Sequence, residues 1–267
     1  MTDVPRNEKA GRMTENHAEC DVDIKVQERF FSDHYKGVFL EIGAARPDYL
    51  SVSAHYRSRN WKVIAIEPNP AYKPLYEEFG YEVLQYACGD RDEDDVPFSV
   101  VNSHGSSYRG GQVSFESFSS LGVKDIYGSQ RELDITNISV KLRRLDTILS
   151  QHAPEVTQVD IVCVDIEGWE LEALSGLDFG KYNPQVLIVE NLFHEARYRT
   201  FMRMRGYRLW KRLGPNDVYA KSSILRPSEL ITSPAQHLGK TVVGRTRSAL
   251  RSYWKRWKRV KNTTKVR

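Results

Sequence analysis

The chain has 267 residues, of which 40% are hydrophobic and 28% are charged, so it can bury a full core like an ordinary globular protein. No apolar run approaches the ~20 residues that a transmembrane helix needs, which argues against a membrane-spanning class. The net charge of +4 is unevenly distributed, because residues 240–267 contain eleven Lys and Arg and no Asp or Glu, whereas the rest contains 28 basic and 35 acidic side chains. The overall charge therefore says little about the partners of the mildly acidic body.

In chain order, a polar arm is followed by alternating strands and helices. Residues 1–21 lack a hydrophobic period and predict a flexible arm without a signal peptide, and residues 23–35 predict a helix. The predicted strands are residues 38–42, 62–66, 81–86, 96–101, 138–142, 159–164 and 185–190, and the predicted helices are residues 49–59, 71–79, 145–151 and 169–175. Continuous Val, Ile and Leu runs separated by helices indicate parallel strands covered on both faces.

The end of the body has a different pattern. Residues 207–210 and 218–220 flank a turn cluster at residues 214–217, which predicts an antiparallel hairpin. The predicted fold class is therefore α/β, a Rossmann-like, doubly wound and mostly parallel sheet closed by a hairpin. We predict an arm at residues 1–21, one domain at residues 22–223, and a linker with a basic tail at residues 224–267.

The loop after the first strand is the first candidate for a ligand site. A strand that breaks at Gly43 and leads into a helix is typical of a nucleotide-type site, and an ordinary turn is the alternative. The loop lacks the full G-x-G-x-x-G pattern, with Ala45 and Pro47 where further glycines would admit a pyrophosphate, so a cofactor without phosphates is favoured. The candidate cofactor-binding residues here are Glu41, Gly43, Ala44, Asp48 and Ser51, and Glu41 could meet an amino group of the cofactor.

The next two strand ends add three candidates. Glu67 ends the second strand, where a carboxylate can accept hydrogen bonds from both ribose hydroxyls, and an acidic strand cap is the alternative. Cys88 and Asp90 follow the third strand and could flank an adenine, although Asp90 also begins an acidic run that suits a solvated turn.

The later strand ends carry candidates for catalysis. Asp165 and Glu167 close a buried strand, where they could orient a cofactor, bind a substrate or ligate a metal, although two carboxylates do not identify a metal site. Glu190 ends the following strand, and His194 could accept a hydroxyl proton or be an ordinary surface residue. The predicted catalytic residues are Asp165, Glu190 and His194, and we predict that Glu170 caps its helix or faces solvent.

Several of these motifs together resemble the FkbM family of S-adenosylmethionine-dependent methyltransferases. They are FLEIGA at residues 39–44, IEPNP at 66–70, LDTIL at 145–149, VDIEGWELEALSG at 164–176 and VE at 189–190, within a match over residues 37–221. Family members often have Asp where Glu41 stands and a second Gly where Pro47 stands. The resemblance implies a class I methyltransferase fold, S-adenosyl-L-methionine as cofactor, and O-methylation of a hydroxyl on a sugar, glycan or secondary metabolite.

Two regions stay open between interpretations. Residues 102–131 are rich in Gly and Ser and could be a substrate lid or a surface insertion. Residues 244–260 predict a basic amphipathic helix with Trp254 and Trp257, which could lie on an anionic membrane surface or dock on the acidic body, whereas nucleic acid is disfavoured as a partner. The three scattered cysteines fit neither a metal site nor a disulfide framework and favour the cytoplasm, with the inner membrane surface as a peripheral location.

Two rival functions remain at the level of the sequence. An NAD-dependent oxidoreductase would begin almost identically but needs the glycine loop that this chain lacks. A non-catalytic Rossmann-like binding module would gain nothing from carboxylates at strand ends. This chain has three such carboxylates, those of Glu67, Asp165 and Glu167.

Overall fold

The computed structural model describes residues 18–101, 104–108, 111–114, 121 and 135–230, with side chains at residues 18–100, 121 and 135–230. The predicted basic tail, the predicted arm up to residue 17 and most of the predicted insertion lie outside these residues. Within the described part, no helix is both long and apolar enough to cross a membrane.

The described strands, in chain order, form three sheets. The strands are β1 (Val38–Ile42), β2 (Lys62–Ile66), β3 (Ala87–Cys88), β4 (Glu93–Val101), β5 (His104–Tyr108), β6 (Gly111–Ser114), β7 (Ile135–Arg143), β8 (Ile161–Val164), β9 (Val186–Glu190), β10 (Tyr207–Leu213) and β11 (Asn216–Lys221). The main sheet has the order β10-β11-β9-β8-β1-β2, a second sheet has the order β3-β7-β4, and β5 pairs with β6.

The described helices connect these strands or pack beside them. They are α1 (Val22–Phe30), α2 (Val52–Ser58), α3 (Lys73–Glu78), α4 (Leu145–His152), α5 (Glu170–Ser175), α6 (Phe179–Tyr182), α7 (Ala196–Met204) and α8 (Pro227–Leu230). Short 3-10 turns lie at Glu19–Asp21, Pro70–Tyr72 and Ser222–Ile224.

The predicted fold class is confirmed. Strands β1, β2, β8 and β9 pair in parallel, and the hairpin β10–β11 closes the sheet with β11 antiparallel to β9. Because successive side chains of a strand point to opposite faces, the strands supply two separate cores. One core joins Leu40, Ile42, Val162, Val164, Leu187 and Val189 to α4 and α5, and the other joins Phe39, Ile161, Cys163, Val186 and Ile188 to α1 and α2.

Two predicted strands do not belong to the main sheet. Residues 96–101 and 138–142 lie in β4 and β7, which pair antiparallel with each other, so that Phe98 lies opposite Ile138. Many side chains of β7 are exposed, which an antiparallel sheet tolerates because only one of its faces needs to be buried. The prediction that these runs are parallel strands covered on both faces was wrong.

The predicted strand at residues 81–86 is reduced to a single parallel bridge between Ile66 and Leu84. The backbone N–H of Leu84 donates to the carbonyl of Ala65, and the backbone N–H of Glu67 donates to the carbonyl of Leu84, at 2.9 Å each. The chain then leaves the main sheet, because Ala87 and Cys88 pair with β7 instead. This change of sheet carries Cys88 across the carboxyl end of β2.

Candidate active site

A cavity opens where the carboxyl ends of β1, β2 and β8 meet. Its lining residues are Ile42, Gly43, Ala45, Glu67, Pro68, Tyr72, Tyr86, Ala87, Cys88, Phe98, Leu121, Asp165, Ile166 and Trp169. Ligands of open α/β sheets bind at this edge. Of the predicted site residues, the cavity brings together Gly43, Glu67, Cys88 and Asp165.

Gly43 directly follows β1 and lies against the backbone of the loop after β8. Its φ is +78°, and a Cβ built on it would lie 1.8 Å from the carbonyl oxygen of Asp165. Its amide and that of Ala44 both donate to the carbonyl of Ile66, at 3.0 and 3.1 Å. Glycine is therefore required here both for its conformation and for space.

Glu67 follows β2 and holds the loop after β1. Its Oε2 accepts from the amide of Ala45 at 3.0 Å, and its Oε1 accepts from the amide of Asn69 at 2.8 Å. Burial raises the pKa of Glu67 to about 7, and these two backbone hydrogen bonds act in the opposite direction. Since each carboxylate oxygen has a second acceptor position, Glu67 can still accept hydrogen bonds from a ligand in the cavity.

Glu41 belongs to the opposite face of β1 and does not line the cavity. Its Oε1 accepts from the amide of Ser53 at 3.1 Å, and its Oε2 accepts from the Ser53 hydroxyl at 2.5 Å. Burial raises the pKa of Glu41 above its usual value, and the positive charge of Arg57 opposes this rise. Because Ile42 points to the cavity, its neighbour Glu41 must point away, so Glu41 anchors the start of α2 and a direct contact with a cofactor is not supported.

Three other predicted loop residues also point elsewhere. The Asp48 carboxylate accepts from Arg46 at 3.0 and 2.8 Å, the Ser51 hydroxyl lies 3.2 Å from that of Ser53, and the Ala44 carbonyl accepts from Tyr76 at 3.2 Å. These contacts stabilise the loop, and none of these three side chains is part of the cavity lining.

The two residues predicted near the adenine have different surroundings. Cys88 is buried and lines the cavity, and burial raises the pKa of its thiol far above the usual value. Asp90 is exposed, lies 3.4 Å from Arg91, and is outside the cavity lining. The cavity therefore supports Cys88 as an uncharged wall and gives Asp90 no contact with a ligand.

The carboxyl groups of Asp165 and Glu190 face each other, with one oxygen of each within 4.8 Å of the other. The Asp165 carboxyl opens into the cavity, but surrounding protein atoms desolvate it and, with the charge of Glu170, raise its pKa to about 7. Burial, and then the charge of Asp165, raise the pKa of Glu190 well above its usual range. Both causes disfavour the ionised form of the Glu190 carboxyl.

Glu167 completes a group of three carboxyls. One oxygen from each of Asp165, Glu167 and Glu190 lies within 4.8 Å of the others. Carboxylate oxygens in such a group suit a hard divalent cation such as Mg²⁺ or Ca²⁺. A pair of carboxyls that shares a proton is the other stable arrangement at this distance.

His194 lies outside the cavity lining. Its side chain is exposed and its φ is +56°, in the turn between β9 and α7. Its pKa is lowered, first by the protein atoms crowded around the ring and then by the charge of Arg212. A histidine with a lowered pKa can accept a proton, but this one does not reach the cavity that holds Asp165.

Sequence reasoning missed the aromatic part of the cavity and the burial of Glu170. Trp169 lies inside the VDIEGWELEALSG motif, yet no local signal distinguishes a tryptophan that lines a cavity from one in a core. Its indole Nε1 is buried without a hydrogen-bond partner among the described residues. Glu170, expected at a cap or in solvent, is only 1% exposed.

The order of the main sheet, with a closing hairpin and a cavity at the carboxyl ends of its parallel strands, is that of a class I methyltransferase-like fold. The sequence model of the methyltransferase FkbM domain matches residues 41–209, which is more than half of the chain. The chain therefore belongs to the FkbM methyltransferase domain family, as its sequence motifs predicted.

Comparison with individual proteins adds little detail. No curated protein matches this chain significantly. One matching crystal structure, of methyltransferase FkbM from Methylobacillus flagellatus KT, is 16% identical with a TM-score of 0.42, and the match covers 71% of this chain. The matched part is 44% of that structure's chain, so this chain corresponds to less than half of it.

Proposed function

We propose that this protein is an S-adenosyl-L-methionine-dependent methyltransferase that methylates a hydroxyl oxygen of a sugar, glycan or secondary metabolite. The observation that carries the proposal is the cavity in which Gly43, Glu67 and Asp165 converge from three adjacent parallel strands. Membership of the FkbM methyltransferase domain family supports methyl transfer as the reaction class.

The chemistry of the cavity suits this cofactor. Glu67 retains acceptor positions for the two ribose hydroxyls, and the uncharged walls at Pro68 and Cys88 suit an adenine ring. Asp165, at the Gly43 end, offers negative charge to the cationic methionine part. The unpartnered indole N–H of Trp169 is a buried donor that a bound ligand would satisfy.

When bound, S-adenosylmethionine supplies an electrophilic methyl group on a sulfonium sulfur. The chain then needs to hold the acceptor oxygen in line with the methyl–sulfur bond and to receive the proton of its hydroxyl. Asp165 is the best-supported acceptor of this proton, since its carboxyl opens into the cavity and has a pKa of about 7. Such general-base assistance typically contributes ~10²–10⁴-fold to the rate.

Glu190 supports this role because one of its carboxyl oxygens lies within 4.8 Å of an Asp165 carboxyl oxygen. Because burial and the charge of Asp165 raise the pKa of Glu190, this neighbour disfavours a second charge beside the reacting oxygen. Among the three predicted catalytic residues, the geometry therefore supports Asp165 in contact with the acceptor, Glu190 behind it, and no direct role for His194.

Calorimetry with S-adenosylhomocysteine tests the cofactor. The full-length chain should bind it, and Glu67→Ala should weaken binding by about tenfold or more because the ribose hydroxyls lose an ionic acceptor. Glu67→Gln keeps one carbonyl acceptor and should have a smaller effect. Glu82→Ala, at an exposed carboxylate outside the cavity lining, is the matched control and should bind as the unmodified chain does.

Titration with NAD provides the opposing outcome. Tight binding of NAD together with no heat from S-adenosylhomocysteine would overturn the proposal in favour of an oxidoreductase. If neither ligand binds, the non-catalytic module is the better description.

A further inference from the structure

A second groove adjoins the candidate active site. Pro68 and Tyr86 line both, so the two spaces share a wall. One side of the groove is the segment at residues 83–86, which bridges to β2, and the other side is residues 138–141 of β7.

The groove exists because two chain segments separate instead of pairing. The ladder between β3 and β7 contains only two residue pairs, Ala87 with Leu142 and Cys88 with Arg143. Before these residues, Leu84 bridges to Ile66 of the main sheet, so no described strand pairs with residues 138–141 on this side. An open strand edge presents backbone N–H and C=O groups without ladder partners. The groove therefore has backbone donors along one of its walls.

The charged side chains of the groove are all basic. Lys73 begins α3, Lys141 lies on β7 and His152 ends α4, so three separate elements bring them together. No Asp or Glu is among the lining residues of the groove, whereas Glu67 and Asp165 line the adjoining cavity. Since acidic residues outnumber basic ones in residues 1–239, this groove differs in charge from the body as a whole.

Two carboxylates approach the groove from outside its lining. The Glu77 carboxylate lies 3.9 Å from the Lys73 Nζ, and the Asp95 carboxylate accepts from the Ser139 hydroxyl at 3.1 Å. The side chains of Lys73 and Glu77 are 53% and 63% exposed, and an ion pair in such solvent is weak. Lys141 has no ion pair within the described part of the chain. Both ammonium groups therefore remain available to an anion.

The floor of the groove is apolar, and its shared wall is ordered. Val83 and Val140 are buried beneath it, at 8% and 9% exposure. The hydroxyl of Tyr86 lies 3.0 Å from the Nε2 of His152, and the two ring centroids are 5.5 Å apart. An anion beside His152 would therefore lie next to a side chain that also bounds the candidate active site.

We propose that this groove is an anion-binding site, which holds the phosphate or carboxylate of a ligand whose remaining part is apolar. Lys73 and Lys141 supply charge-assisted hydrogen bonds to the oxyanion, His152 lies beside it, and the valine floor contacts the apolar part. The site lies beyond the proposed function, because it does not depend on which ligand fills the adjoining cavity.

NMR of the His152 imidazole in the full-length protein tests the proposal, with His152→Gln to assign the resonance. Inorganic phosphate, added at constant pH and ionic strength, should shift this resonance along a saturating curve. Acetate in a second titration distinguishes the two oxyanions, since the one that saturates at lower concentration is the preferred ligand group. Chloride at the same ionic strength should have little effect, because it tests charge screening alone.

Two single variants test the lysines. Lys73→Gln and Lys141→Gln each remove one positive charge from an exposed side chain, so each should weaken phosphate binding by about threefold or more and leave the melting temperature nearly unchanged. Lys36→Gln removes an exposed lysine outside the lining and should bind phosphate as the unmodified chain does. The proposal is overturned if phosphate does not shift His152, if chloride shifts it equally, or if both lysine variants keep the original affinity.

These measurements use no cofactor, so they separate the groove from the proposed function. Saturating phosphate binding in a protein that does not bind S-adenosylhomocysteine would retain the anion site and reject the methyltransferase. Binding of S-adenosylhomocysteine without any response of His152 to phosphate or acetate would do the reverse.

Discussion

Two aspartates stand at the two ends of β8, and their surroundings are opposite. Asp160, just before the strand, is buried, and its carboxylate is surrounded by donors. These donors are the Tyr35 hydroxyl at 2.8 Å, the Gln158 amide at 3.0 Å, the Gln185 amide at 2.8 Å and the Val38 backbone N–H at 2.9 Å. Asp165, just after the strand, faces the carboxyls of Glu170 and Glu190 and opens into the cavity.

The difference separates a structural carboxylate from the one that we propose as a base. Four donors from several segments make Asp160 a clamp on the amino ends of β1, β8 and β9, with three of the donors on Oδ1 and the Val38 N–H on Oδ2. Asp165 has no comparable set of donors among the described residues, and the negative charge around it favours the protonated form. The same residue type therefore has a structural environment at one end of the strand and, at the other, the environment in which we propose a base.

The largest expected effect tests whether the site at the carboxyl end of β8 depends on the close approach of the Gly43 backbone to the Asp165 carbonyl. Gly43→Ala combines a φ of +78° with a Cβ 1.8 Å from the Asp165 carbonyl, so it should cost roughly 4 kcal/mol of unfolding free energy and abolish binding of S-adenosylhomocysteine. Gly80→Ala is the matched control, because Gly80 has a φ of +70° but nothing within 4 Å of the added Cβ.

Gly80→Ala should lose only about 1–2 kcal/mol of unfolding free energy, which is the cost of the left-handed backbone conformation for alanine. Urea unfolding of both variants measures the difference. Equal losses in the two variants would contradict the close approach of β1 to the loop after β8.

The second-largest expected effect tests the hydrogen bonds of Asp160 at the amino end of β8. Asp160→Ala leaves the Val38 N–H and the two glutamine amides without their acceptor, so it should lower the free energy of unfolding by about 3 kcal/mol. Asp165→Asn, at the other end of β8, should leave stability near that of the unmodified chain, because it removes a crowded charge. Urea unfolding compares the two, and a larger loss in Asp165→Asn would break the comparison.

The smallest expected effect is a difference between the unmodified chain and Asp165→Asn in how the free energy of unfolding depends on pH. Asp165 has a pKa of about 7 in the folded protein against 3.8 for an ordinary aspartate, so between these values the folded state keeps a proton that the unfolded chain has released. Its contribution to stability is therefore complete below the lower value and is lost as the pH rises through the upper one. Asp165→Asn removes this titrating group, so its free energy of unfolding should decline less than that of the unmodified chain from about pH 5 to about pH 8.

Part of the decline in unfolding free energy with rising pH should remain in Asp165→Asn. Burial raises the pKa values of Glu67 and Glu190 as well, and they titrate in the same direction. A variant with an unchanged slope would show that Asp165 is not the group with the raised proton affinity.

The sequence alone predicted the main sheet closely. Strands β1, β2, β8 and β9 were recognised because a buried parallel strand is a continuous apolar run, which is a local pattern. The closing hairpin followed from its turn cluster. Gly43, Glu67, Cys88 and Asp165, which line one cavity, were predicted as site residues because strand ends mark the ligand edge of such a sheet.

Only the tertiary structure decided which apolar runs pair with each other and where each side chain points. The runs in β4 and β7 have the composition of buried strands, but their partners lie far apart in the chain, and antiparallel pairing placed them in a second sheet. The sequence could not place Glu41, which bonds to Ser53 outside the cavity lining, because the side of a strand that faces a ligand depends on the neighbouring strands and not on the residue type. The pairing of Asp165 with Glu190, and the burial of Glu170 against Tyr198, join segments about 25 to 30 residues apart. Charges that meet only after folding set the proton affinity of Asp165, so the sequence could name this residue but not its chemistry.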